Sequence, residues 1–342
     1  MYAILINPGH NKVYYENSKL LALAEVRLTL NLDIKDDKIY AKRLGSIDYI
    51  VIDIEGLDDE KINLLYSLSF SYAVFKIIET DGEQLLLPVN KKTENFVDKS
   101  ISSMLKYTGK TNEIFTRLML NIGMATVGGK TNKMSVLDPI AGKGTTLYEG
   151  LVRGFDVYGI EIGGKVAEES YRFMKKYLET AKFKHSSKEI RQSGKNKCYT
   201  AVRYAIDITK DKGNKEPTHF EMIAANSVYA NELFKKNSFD MIIGDLPYGV
   251  QHSNVTNEKQ SGFTRNPREL LTACLPVWRQ VLKPDGALVL GWNTNILDRD
   301  AMVKLFLETG FEVKNDGDYL EFAHKVDNAI YRDVIAAVKV IN

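Results

Sequence analysis

Two cysteines, Cys198 and Cys274, are all the thiols in a chain of 342 residues. They stand far apart and neither has a Cys-x-x-Cys neighbour, which argues against a zinc knuckle or disulfide framework and for two ordinary reduced thiols. Charge of one sign is scarce as well. Lys and Arg number 46 against 44 Asp and Glu, a formal net charge of +2, so net charge alone points to no polyanionic partner. No apolar run is long enough to span a bilayer. The opening MYAILINPGHNKVYYEN lacks the basic stretch and apolar core of a secretory signal. Internal repeats and low-complexity tracts are absent. The expectation is a soluble, cytoplasmic protein without membrane partner or metal, and nothing in the sequence fixes an oligomeric state.

What is present is an ordinary globular balance, 44% hydrophobic and 26% charged, in a length that suits two domains. The first eighty residues alternate between patterns. Tyr2–Asn7 reads as a strand, Ser18–Leu30 as an amphipathic helix, and Lys38–Arg43 and Tyr49–Ile54 as strands. Asp58–Leu68 reads as a helix with an acidic first turn, and Ala73–Ile78 as a strand. Asp81-Gly82 then marks a hairpin before Gln84–Val89. The order β-α-β-β-α-β is that of a ferredoxin-like α+β domain, expected over residues 1–92. Residues 93–106 are expected to be a linker.

From residue 107 to 342 strands alternate with helices. Val136–Ile140, Val157–Ile162, Phe220–Ala225, Phe239–Gly244 and Ala287–Trp292 are strand candidates, with helices over Thr145–Arg153, Lys165–Ala181 and Pro267–Leu282. Such alternation predicts a Rossmann-like, doubly wound parallel sheet with helices on both faces. Phe311–Lys314 and Tyr331–Ile341 supply a closing hairpin. Between Lys182 and Lys215 the chain is strongly basic: Lys184, Lys188, Arg191, Lys195, Lys197, Arg203, Lys210 and Lys212 face only Glu189, Asp207 and Asp211. This insertion-like stretch suits either a phosphate-tracking surface or a solvated loop.

The first sharp motif is VLDPIAGKGTTLYEG, residues 136–150. A strand ends at Asp138, Gly142 and Gly144 follow, and a helix opens near Thr145. In an open α/β sheet, ligands bind beyond the carboxyl ends of the strands. A Walker loop is excluded, because Gly142-Lys143 is followed by Gly144 and position 137 is not glycine. A dinucleotide fingerprint fits in part, with Leu147 where a third glycine belongs. The form D-P-x-x-G-x-G-T resembles the first motif of S-adenosylmethionine methyltransferases of the amino-methylating class, which assigns Asp138, Pro139, Gly142, Gly144 and Thr145 to that cofactor. Glu161 ends the next strand, at the spacing of a carboxylate that accepts a ribose diol. In the same class an acidic or amide side chain faces the adenine, and Asn226 is preferred over Asp207 for that place. Lys110, Thr111 and Asn112, with Phe115 beside them, lie in the segment that cradles the cofactor's amino-acid end in that class. They serve equally as the capped start of a helix over Ile114–Ile122.

The second motif is Phe239-Asp-Met-Ile-Ile-Gly-Asp-Leu-Pro-Tyr-Gly249. An apolar strand delivers Asp245, Leu246, Pro247 and Tyr248 at its carboxyl end. The string resembles the D/N-P-P-Y/F motif of enzymes that methylate exocyclic amines, with Leu246 in place of the first Pro. An aryl amine is a poor nucleophile, since its lone pair is delocalised into the ring. Its two N–H donors can be accepted by the Asp245 carboxylate and the Leu246 carbonyl. Pro247 stiffens the turn, and Tyr248 offers a ring on which a base can stack. After it, Gln251, His252, Ser253 and Arg265 suit a loop that closes over substrate, or a plain surface loop. Trp292 and Asn293 suit either the base pocket or the core.

Together, Y-T-G-K-T-N at 107–112, D-P-I-A-G-K-G-T at 138–145, G-I-E at 159–161 and D-L-P-Y-G at 245–249 resemble the THUMP-associated tRNA guanosine-N2 methyltransferases. The resemblance covers about Tyr107–Ile341. It implies methyl transfer from S-adenosylmethionine to guanosine N2 in RNA, tRNA above all. The residues before 107 suit that family's ferredoxin-like piece and leave little room for a full THUMP domain. Other readings stay open: adenine N6 methylation of DNA or rRNA, methylation of a protein glutamine, a non-catalytic cofactor-binding RNA-interaction protein, and a dinucleotide-dependent oxidoreductase.

Overall fold

The structure is a computed structural model and describes residues 1–7, 12–30, 36–106, 110–129, 133–194, 198–209, 216–248 and 267–341. Its first strand, β1 (Tyr2–Ile6), is apolar on both faces. Ile4 and Ile6 meet one core, while Ala3 lies on the other side with Tyr49, Val51 and Ile77. α1 (Lys12–Leu30), β2 (Ile39–Leu44), β3 (Ile47–Ile52), α2 (Asp59–Ser67), β4 (Ser71–Thr80) and β5 (Glu83–Pro88) follow. The strands form an antiparallel sheet in the order β2-β3-β1-β4-β5. This is the ferredoxin-like arrangement with one hairpin strand added. Asp58 caps α2, accepting the Lys61 amide at 2.8 Å. Asp81 and Gly82 turn the last hairpin with φ of 50° and 82°, the left-handed pair that a tight hairpin requires.

The second sheet is built from β6 (Ser135–Asp138), β7 (Asp156–Glu161), β8 (Lys184–Ser193), β9 (Thr200–Thr209), β10 (Thr218–Ala224), β11 (Phe239–Asp245), β12 (Leu282–Asn293), β13 (Phe311–Lys314), β14 (His324–Lys325) and β15 (Tyr331–Lys339). Its order is β13-β15-β12-β11-β6-β7-β10-β9-β8, with β14 on β15. β12, β11, β6, β7 and β10 are parallel, and β15 and β9 run against their neighbours. Helices α3 (Ile101–Met104), α4 (Glu113–Thr126), α5 (Thr145–Val152) and α6 (Gly164–Thr180) contribute to the core on one face. α7 (Ala230–Leu233), α8 (Pro267–Val281) and α9 (Arg299–Glu308) contribute to the other. The result is the doubly wound Rossmann-like sheet of a methyl-transferring fold. Strand order reverses between β6 and β11, and a crevice at such a switch point binds ligands.

The basic stretch after Lys182 is an extension of the sheet. β8 pairs with β9 and β9 with β10, both antiparallel. From Tyr204 onward β9 alternates, with Tyr204, Ile206 and Ile208 buried in one core, while Ala201 is buried on the opposite face. β8 is an edge strand and keeps Lys184, Lys188 and Arg191 in solvent. Lys195, Lys197, Lys210, Lys212 and Lys215 lie outside the described residues.

The two sheets are tied through α1. Leu21 and Ala24 enter the large core, and Ala22, Val26 and Leu30 enter the small one. Between them Glu25, fully buried, accepts the Ser69 amide at 2.8 Å and its hydroxyl at 2.6 Å. Asn121 on α4 donates to the same carboxylate, and Arg153 donates to Asn121 at 2.6 Å. A buried polar cluster holds only when its members are paired, so this one fixes how α1 meets α4. Residues 93–106 pack along the seam, with Val97 and Ile101 buried and the Phe96 amide donating to the Val152 carbonyl. Among the described residues no helix is long and apolar enough to cross a membrane.

Candidate active site

The carboxyl ends of β6, β7 and β11 bring Asp138, Glu161 and Asp245 to one edge of the sheet. The register fixes this: Asp138 sits beside Gly159, and Met241 beside Val136. After β6 the chain turns sharply. Asp138 accepts the Ile140 amide at 3.0 Å, the Ala141 amide reaches the Ile160 carbonyl, and Gly144 caps α5 with φ of 90°. A Cβ at 144 would lie 3.0 Å from Ser170 Oγ. Glycine is therefore required there both for its left-handed backbone and for its lack of a side chain. Pro139 and Thr145 are buried within the same turn.

Glu161 accepts the Gly142 amide on Oε2 at 3.0 Å and the Gly163 amide on Oε1 at 2.7 Å. Each oxygen keeps a further lone pair for a hydroxyl. Burial pushes its pKa up, and the two amides pull it down. Asp138 is pushed up to about 7, first by burial, with the charges of Asp245 and Glu161 adding to it. These carboxylates crowd one edge with few cations among them, an arrangement suited to a positively charged ligand. The residues present thus fit a cofactor that carries a sulfonium, an ammonium and a ribose diol. Asn226, directly after β10, uses its side chain to accept the Val228 amide at 3.1 Å. Asp207 bonds His219 at the opposite, amino-terminal end of β10, away from this edge. Of the two, only Asn226 stands at the carboxyl-terminal edge of the sheet.

Asp245 is bonded on both oxygens. Thr111 Oγ1 donates to Oδ2 at 2.9 Å and the Tyr248 hydroxyl donates to Oδ1 at 2.5 Å. Burial raises its pKa, against the lowering effects of Arg332, Tyr248 and Thr111. Thr111, expected to cradle a cofactor, thus reaches the second motif. Asn112 caps α4, accepting the Ile114 amide at 2.7 Å, and Lys110 pairs with Glu113 at 3.2 Å. Phe115 is fully buried in the core. Leu246 is only 1% exposed and plugs the core on the α8 face. Its amide donates to the Gly291 carbonyl at 2.8 Å, so its contribution to a substrate is its own carbonyl. Pro247 and Tyr248 follow, half-buried.

Trp292 is wholly buried, its indole donating to the Leu297 carbonyl at 2.7 Å, and belongs to the core. Asn293 is also internal, accepting the Asn295 and Tyr331 amides. Tyr107, Thr108 and Gly109, like Gln251, His252, Ser253 and Arg265, lie outside the described residues.

Residues that sequence reasoning missed complete the site. Arg332, on β15, holds its guanidinium carbon 4.1 Å from the Phe115 ring centre and 4.9 Å from that of Tyr248. Gly291 makes room for Asp245 and Phe115: a Cβ there would come to 2.9 Å from both Asp245 Oδ1 and the Phe115 ring. An Arg-Asp pair opening a strand that is apolar from Val334 to Val338 was the available signal.

Comparison with known proteins follows this geometry. The family model UPF0020, described as RMKL-like, methyltransferase domain, matches residues 116–304. No curated protein sequence matches. Among solved structures, TrmN from Thermus thermophilus is 13% identical with a TM-score of 0.47, covering 99% of each chain. Magnesium protoporphyrin IX methyltransferase from Synechocystis, solved with S-adenosylmethionine, is 14% identical with a TM-score of 0.38. The alignment covers 84% of this chain and 99% of that one. The 1,6-didemethyltoxoflavin N1-methyltransferase of Burkholderia thailandensis, solved with S-adenosylhomocysteine, is 14% identical with a TM-score of 0.37, over 67% and 80% of the two chains.

Proposed function

We propose, on the premise that the chain belongs to the UPF0020 family of RMKL-like methyltransferase domains, that it methylates an exocyclic amine of a base in RNA, namely N2 of guanosine in tRNA. It is an S-adenosylmethionine-dependent methyltransferase. We assign Asp138, Pro139, Gly142, Gly144, Thr145, Glu161 and Asn226 to the cofactor, with Lys110, Thr111, Asn112 and Phe115 on its amino-acid side. When bound, the cofactor supplies an electrophilic methyl group on sulfur.

The observation that carries the reading is the bonding of Asp245. A buried carboxylate held by Thr111 and Tyr248 presents its remaining lone pairs to a donor. An exocyclic amine offers two N–H groups, one for Asp245 and one for the Leu246 carbonyl. Accepting both orients the nitrogen lone pair toward the methyl group. As the new N–C bond forms, the nitrogen sheds a proton, and Asp245 takes it. Its raised pKa brings it nearer to the operating pH, where a base that must also release its proton works best. Tyr248 gives the flipped base a ring to stack on, worth roughly 1–3 kcal/mol.

RNA docking falls to the exposed edge strand β8. Lys184, Lys188 and Arg191 stand in solvent, with Glu189 as the one acidic residue between them. β8 runs in the same direction as β10, so its far end approaches the edge that holds Asp245. Residues 1–92 are assigned as a separate ferredoxin-like domain, joined through 93–106 to a catalytic domain over 107–342. Mass spectrometry of tRNA and rRNA nucleosides from cells with and without the gene tests the base. N2-methylguanosine lost from tRNA is the expected result; loss of N6-methyladenosine instead overturns it.

A further inference from the structure

Arg332 is 5% exposed and lies among aromatic rings and a carboxylate. A buried guanidinium is costly unless paired or stacked. Here the cost is met in two ways. The Phe115 and Tyr248 rings offer it their π-faces, and Asp245 offers an opposite charge. Its Nε, by contrast, is buried without a hydrogen-bond partner. A structural arginine is ordinarily saturated with acceptors. This one gives up a bond to sit against Tyr248, which argues that its place in the site matters more than its own bonding.

The fold invests in that placement. Arg332 pairs with Asn293 of β12, while Asp245 pairs with Gly291 of the same strand. Gly291 and Asn293 share one face of β12. The arginine thus shares the face above Gly291 with Asp245 and Phe115, where any side chain at 291 would collide with both. On its other side His324 of β14, paired in register with Arg332, sits 5.7 Å from Phe115. Burial lowers His324 to about 4, so it is neutral near pH 7 and adds no second cation.

We propose that Arg332 is a positioning residue for methyl transfer: clamped between Phe115 and Tyr248, it locks the tyrosine ring and serves as the counter-charge of Asp245. Two consequences follow. One face of Tyr248 is taken, so a substrate base stacks on the other. The carboxylate also meets its substrate charged and oriented, because Tyr248 is held at both its ring and its hydroxyl. The groups facing Asp245 are Arg332 from β15, Tyr248 from its own loop, the Thr111 hydroxyl ahead of α4, and Asp138 at the end of β6. Of these only Arg332 is a cation, so its removal has a definite sign.

The inference rests on Asp245 as the amine acceptor, but its test needs no RNA, so an error in the assigned base leaves it readable. Protein labelled with ¹³C in aspartate is titrated, with the Asp245 carboxyl signal identified by its loss in Asp245→Asn. Arg332→Gln removes the charge. Arg332→Met does so with a flexible apolar chain that fills the slot, should the amide prevent folding. S-adenosylmethionine affinity reports folding in each case. The Asp245 midpoint is expected to rise by about 1–3 units in either neutral variant and to return most of the way in Arg332→Lys. A midpoint unmoved in a folded neutral variant, or equally displaced in Arg332→Lys, overturns the proposal.

Discussion

Glu161 and Gly142 are joined across nineteen residues by a carboxylate–amide bond of 3.0 Å. This bond ties the turn after β6 to the end of β7. Glu161 thereby holds the glycine turn, beside the ribose contact we propose for it. Bonds to a charged acceptor are worth about 1.5–3 kcal/mol. Glu161→Gln is therefore expected to weaken S-adenosylmethionine about 10-fold or more, and Glu161→Ala further, by isothermal calorimetry. Unchanged affinity in both would remove Glu161 from the cofactor site.

The two tasks we propose for Tyr248 also separate. Tyr248→Phe keeps the ring and loses the bond to Asp245, so kcat should fall with KM for RNA nearly unchanged. Tyr248→Ala loses the ring as well, and KM should rise about 5- to 150-fold, the equivalent of one stacked base. Steady-state kinetics of the two variants checks this. Equal KM values would mean that no base stacks there.

Asp138 makes stability depend on pH with a definite sign. Its pKa rises from 3.8 in the ordinary carboxylate to about 7 on folding. Below about pH 4 both states hold the proton and Asp138 contributes nothing to the pH dependence. Between the two values only the folded state holds it, so stability falls as pH rises; above about 7 the penalty is constant. In cofactor-free protein, Asp138→Asn should raise Tm at about pH 8 more than at about pH 5. A difference in Tm that does not vary with pH would contradict the assigned burial of charge.

The edge strand β8 should set the salt dependence of RNA binding. Replacing Lys184, Lys188 and Arg191 together by Gln removes up to three phosphate contacts. The slope of log K against log salt should become shallower by about 2, at roughly 0.7 per contact for single strands. Filter binding over a salt series measures it, with S-adenosylmethionine affinity as the control. An unchanged slope would place the RNA elsewhere.

Much of this was legible in the chain. The strands β6, β7 and β11 announce themselves as short apolar runs ending in a polar residue, and Asp138, Glu161 and Asp245 are those endings. The pattern of residues 1–89 gave the ferredoxin-like order because each element has its own turn or cap, Asp58 and Asp81-Gly82 among them. β8 escaped notice because an edge strand buries little, so its polar side chains carry no period of two. Arg332, and the bond from Thr111 to Asp245, escaped for another reason. Both depend on meeting Asp245 across the fold, from 134 residues away in the case of Thr111, and no local pattern encodes such a meeting. Leu246, read for its backbone carbonyl, also buries its side chain in the core.

The central claim is that Asp245 receives an exocyclic amine and its proton. The most direct measurement is transfer of a labelled methyl group from S-adenosylmethionine to unmodified tRNA transcripts, followed by nucleoside digestion, for wild type and Asp245→Asn at equal cofactor saturation. The label should appear as N2-methylguanosine. In the variant the rate should fall by about 10²–10⁴, the usual worth of a general base, with cofactor affinity within a few-fold. A variant that transfers methyl groups at the wild-type rate would contradict the account.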